Sequence, residues 1–82
     1  MDLIVIHAQD IGEDSLLAIG VASNLKLAKK MIKEYYGLLS LSSESIIEID
    51  SCNIDDGIEI NVTYLNSYKI YLYLEPFTLN EI

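Results

Sequence analysis

Apolar residues recur along this chain with two different periods, and each change of period marks an element. Residues 3–7, Leu3-Ile4-Val5-Ile6-His7, read as a short strand. Gln9-Asp10-Ile11-Gly12-Glu13-Asp14 reads as a loop by its Gly and its acids. Ser15 to Ala22 is apolar nearly throughout. That predicts a strand covered on both faces in the middle of a sheet, with Gly20 marking a bulge or the close approach of a helix. From Ser23, the predicted N-cap, the period turns helical over Asn24 to Tyr36. At about 100° per residue, Leu25, Leu27, Ala28, Met31, Ile32, Tyr35 and Tyr36 share one face. Lys26, Lys29, Lys30 and Lys33 fall opposite, and Gly37 follows as the expected left-handed residue after the helix.

The second half of the chain returns to alternation. After a Ser- and Leu-rich connection over 38–45, Ile46-Ile47-Glu48-Ile49-Asp50 reads as a strand with Ile47 and Ile49 inward. Asn53-Ile54-Asp55-Asp56-Gly57 has the composition of a hairpin turn. Ile58, Ile60, Val62 and Tyr64 then alternate with polar residues, as do Tyr68, Ile70, Leu72 and Leu74 after Leu65-Asn66-Ser67. A three-residue loop there pairs Tyr64 with Tyr68, Val62 with Ile70 and Ile60 with Leu72, with Asn66 suited to the left-handed position. Pro76 ends the last strand, and a short tail follows in which Phe77 and Leu79 can dock. The predicted fold is α+β: a two-layer sandwich of one amphipathic helix on a mainly antiparallel sheet, in the order β-β-α-β-β-β.

Composition narrows the class. Eighty-two residues form one domain, residues 1–82, which buries about two-thirds of its unfolded surface. At 51% hydrophobic and 22% charged the chain has the balance of a folded protein. A single cysteine, Cys52, excludes an intrachain disulfide and favours a reducing, cytoplasmic setting. No apolar run approaches the length of a signal peptide core or a membrane span. The formal net charge of −8 disfavours nucleic acid and anionic lipid, and the chain has no Arg.

The candidate chemistry is sparse. His7 is the sole histidine, so neither a zinc ligand set nor a nucleophile–base pair is in view. Asp50, Asp55, Asp56 and Glu59 lack the ligand spacing of a calcium loop. Phosphate-binding and nucleotide-binding glycine motifs are missing too. These absences predict a protein that is not an enzyme, with no catalytic residue, no metal and no cofactor. Two surfaces carry binding potential instead. Lys26, Lys29, Lys30 and Lys33 form a stripe that an anionic or acidic partner could meet, although a solvated helix face is the simpler account. Tyr71 and Tyr73, with Lys69, fall on the polar phase of the last strand, where tyrosines favour recognition.

Ile19-Gly20-Val21-Ala22-Ser23, followed by Leu27-Ala28-Lys29-Lys30-Met31-Ile32, resembles a recurrent segment of short phage and prophage proteins, in which a β-hairpin runs into a helix. Tyr73-Leu74-Glu75-Pro76-Phe77-Thr78-Leu79-Asn80-Glu81 resembles their final strand, so the likeness covers about half the chain. It implies a mobile-element gene, and small acidic proteins of that kind often act by binding a host protein. The leading expectation is a non-catalytic binding or inhibitory module that meets a protein through an exposed sheet face or edge strand. The alternatives are a small-ligand-sequestering oligomer, with tyrosines and the lysine stripe at the interface, and an immunity-type protein whose acidic surface complements a basic toxin. A protein partner is expected, with no nucleic acid and no membrane, and a homodimer is compatible with the composition.

Overall fold

The computed structural model describes residues 2–10, 15–63 and 65–78. They form β1 (Asp2–Asp10), β2 (Leu17–Ala22), α1 (Leu25–Gly37), α2 (Ser43–Ser51), β3 (Gly57–Val62) and β4 (Tyr68–Thr78). The protein is α+β, with four antiparallel strands in the order β2-β1-β4-β3 and two helices. The observed order, β-β-α-α-β-β, replaces the five-strand expectation. The predicted 9–14 loop starts later, since Gln9 and Asp10 belong to β1. Its residues 11–14, the predicted docking of Leu79 and the predicted pairing of Tyr64 with Tyr68 lie outside the described residues.

The core follows strand parity. Ile4, Ile6 and Ala8 of β1, Ile60 and Val62 of β3, and Ile70, Leu72 and Leu74 of β4 are buried on one phase. They join Ala28, Ile32 and Tyr36 of α1 and Ile49 of α2 in one apolar cluster. On the other phase of these strands, Val5, His7, Tyr71 and Tyr73 are half-buried, and Glu59, Lys69 and Glu75 are exposed.

The segment read as a third strand is α2. Ile47 is 65% exposed while Ser45 and Ile49, four residues apart, are buried, which is helical spacing. Ser42 caps the helix by accepting from Ser45 N–H at 3.1 Å. Ser45 Oγ in turn accepts from Asn61 N–H at 2.7 Å, joining α2 to β3. The β-branched run favours a strand locally, but this tertiary contact prevails.

Other expectations shift for identifiable reasons. Ser15–Ala22 is not a central strand. Its strand part, β2, lies at the sheet edge with Leu17 67% and Val21 52% exposed, and the centre is formed by β1 and β4. Gly20 meets both readings: the β1–β2 register slips between Ile6 and His7, and a Cβ on Gly20 would lie 2.8 Å from Met31 Cε. The N-cap is Asn24 rather than Ser23, since its Oδ1 accepts from Leu27 N–H at 2.8 Å. Gly37 ends α1 inside the helix, and the left-handed residue comes later, at Ser40 (φ 62°). Leu27 and Tyr35 flank the apolar face and stay exposed. No hairpin forms at Asp56-Gly57, because that segment links α2 to β3 through a left-handed Asp55 (φ 71°).

The β3–β4 register is displaced by two residues from the three-residue-loop prediction. Val62 pairs with Tyr68, Ile60 with Ile70 and Ile58 with Leu72. Thr63 and residues 65–67 lie between the two strands, with Leu65 instead of Asn66 left-handed (φ 60°). A two-residue slip preserves parity, so every apolar residue keeps its face.

Candidate functional site

The outer phase of β1 and β4 collects the polar groups with the most specific geometry. His7 stands opposite Tyr73 across the central ladder, with ring centroids 6.4 Å apart. Its Nε2 lies 2.7 Å from Glu75 Oε2, two residues along β4 on the same face. The Tyr73 hydroxyl donates to Asp55 Oδ1 at 3.1 Å. That hydrogen bond raises the phenol pKa, with desolvation and the Asp55 charge acting in the same direction. Asp55 is held in place because its own N–H donates to Leu74 O at 2.9 Å.

Tyr71 lies across Gly57, where its ring and hydroxyl occupy the space that a Cβ would need. An aromatic laid over a strand glycine covers backbone that would otherwise face water. Lys69 is exposed opposite Asn61. Tyr71, Tyr73 and Lys69 therefore share one face, joined there by His7, Glu75 and Asp55. The contacts of these last three were not legible in the sequence. They depend on pairing between residues as far apart as 68 positions. The available signal was parity, since Ile4, Ile6 and Ala8 inward put His7 outward.

The lysine stripe divides. Lys29 Nζ donates to Asp50 O and Lys33 Nζ to Asp50 Oδ1, each at 2.7 Å. Asp50 lies in the last turn of α2, which has no basic residue of its own. The two lysines thus supply the positive charge that a helix C-terminus favours. Lys26 and Lys30 remain exposed, with Lys30 4.0 Å from Glu34.

Other features lie elsewhere in the molecule. Cys52 is buried with Sγ 3.1 Å from Ile49 O, and burial pushes its thiol pKa up, partly offset by Lys29. A cleft of about 430 Å³ opens between the end of α1 and the sheet, lined by Ala8, Asp10, Leu17, Tyr36 and Tyr68 among others. Among the described residues, no group of three or more His, Cys, Asp or Glu side chains is placed to hold a metal ion. No helix among them is long and apolar enough to cross a membrane. The site can offer aromatic area and fixed donors and acceptors, on an open face rather than in a cleft. Compared with protein-family models, curated proteins and solved structures, the chain matches none.

Proposed function

We propose that this is a non-catalytic binding module whose helices form one layer, leaving the opposite sheet face to dock a basic protein. The observation that carries this reading is the outer cluster of His7, Tyr71 and Tyr73, edged by the carboxylates of Asp55, Glu59 and Glu75. Tyrosines whose rings lie against the sheet present apolar area at little entropic cost. Carboxylates around them, on a chain of net charge −8, favour approach of a positively charged surface. An inhibitory role toward a host protein or a basic toxin, in a reducing cytoplasm, fits these properties and the phage-type resemblance.

The test combines capture with substitution. Immobilised protein should retain one basic protein in stoichiometric amount from a lysate, and Tyr71→Ala/Tyr73→Ala should abolish retention without changing the far-UV circular dichroism. Retention should also weaken as salt is raised, because rim charges steer the encounter. Capture that survives the tyrosine substitutions but is lost on Lys26→Glu/Lys30→Glu would assign binding to α1 and reject this reading.

A further inference from the structure

The two edges of the sheet are finished differently. Along β3, the segment before and within α2 closes the outer edge. Asn61 N–H donates to Ser45 Oγ, Thr63 N–H donates to Ser40 O at 3.0 Å, and Leu41 bridges Val62. The other edge strand, β2, has β1 on one side and, among the described residues, no hydrogen-bonding neighbour on the other. Exposed edges are usually blunted by short length, a bulge, Lys, Pro, inward-pointing charge or a covering segment. Of these, β2 has a length of six residues and one register slip. Residues 15–25 contain no charged residue and no Pro. The register slip beside Ile19 turns Leu17, opposite Ala8, toward the helix face and Val21, opposite Val5, toward the other face, and both are exposed.

The flank of α1 above this edge is apolar over its first two turns. Met31 sits over Gly20, and Leu27, one turn earlier, is 39% exposed. Lys29 and Lys33 point the other way, toward α2. The backbone groups and side chains of β2 thus make one uncharged strip on a molecule of net charge −8, while the α1 flank beside it carries Leu27, Met31 and, further along, Glu34.

We propose that a second copy of this chain occupies that strip, with β2 pairing antiparallel to β2 across a two-fold axis. A two-fold contact sets each patch against itself, so any net charge on it would face its like. An uncharged strip is where two strongly acidic copies can meet. The antiparallel arrangement continues the sheet and sets the two α1 helices side by side, with the Leu27 and Met31 flanks facing one another. The inference is independent of the outer-face reading, which uses other residues.

Sedimentation velocity on the full chain should show a reversible dimer of twice the 9.2 kDa monomer. Leu17→Lys/Val21→Lys should halve that mass while the circular dichroism stays that of the wild type and the thermal midpoint matches that of wild type diluted to monomer. A second readout needs no variant: amide protection across β2 should rise with wild-type concentration while that of β3 does not. A monomer at every accessible concentration overturns the inference, including one that binds a strand only when a different protein is added. A dimer that survives the lysine substitutions in folded protein, or whose concentration-dependent protection falls on β4, also overturns it.

Discussion

Ser45 carries more of the architecture than its size suggests. Its hydroxyl accepts from Asn61 N–H at 2.7 Å and from the Ser42 hydroxyl at 2.9 Å, in a position 1% exposed. Ser45→Ala leaves the Asn61 amide without that partner where water enters poorly. A loss of about 1–3 kcal/mol in urea unfolding is expected, the usual cost of an orphaned buried group. A neutral result would mean that Asn61 finds another acceptor. Tyr36 makes a prediction of opposite character. Burial, reinforced by Tyr35, Asp10 and Tyr68, pushes its phenol pKa well above the ordinary value of 10.0. The folded state therefore holds a proton that the unfolded chain releases once pH passes about 10. Its stabilising contribution is intact below that pH and declines as pH rises further. Urea midpoints should fall on the alkaline side in the wild type and less steeply in Tyr36→Phe, and parallel slopes would show that another group governs the decline.

Among the elements, α1 shows where a helix can gain stability at little structural cost. Gly37 closes it, and a Cβ there would meet nothing within 4 Å. Gly37→Ala should raise stability by roughly 0.5–1 kcal/mol, mainly by restricting the unfolded chain. A lower melting temperature would show that the turn into Ser40 draws on the freedom of Gly37. The helix and the two alternating strands were legible because their periods put side chains on a definite face. The second helix was not. Ile46, Ile47 and Ile49 favour a strand by themselves, and the contact that favours a helix lies 16 positions away, between Ser45 and Asn61. Parity likewise revealed the faces of β3 and β4 but not their offset, since pairing Ile60 with Ile70 or with Leu72 buries the same residues. The outer position of Tyr71 and Tyr73 was readable on that basis. Their neighbours His7, Glu75 and Asp55 were not, because no local pattern specifies which strands meet.

For the whole molecule, charge distribution governs how it meets others. Two of the four α1 lysines are engaged with Asp50, which leaves the acidic excess largely uncompensated toward an approaching polyanion. Phosphate binding requires several cations that displace counterions together. Duplex and single-stranded DNA should therefore show no retardation at physiological salt. A tight, sequence-selective shift would overturn the acidic-surface argument.

The central ladder has a consequence for biosynthesis. β1 pairs with β4 along its whole length, from Asp2 opposite Thr78 to Asp10 opposite Ile70, so the middle of the sheet joins residues as much as 76 positions apart. Until β4 leaves the ribosome, Ile4, Ile6 and Ala8 lack the Ile70, Leu72 and Leu74 that complete their core. Closing so long a loop before any contact rewards it is slow. Nascent chains that stop short of Tyr68 should be protease-sensitive and held by chaperones. Resistance should then appear in one step once β4 clears the exit tunnel, and resistance acquired earlier would mean that β1, β2 and α1 fold as a unit on their own.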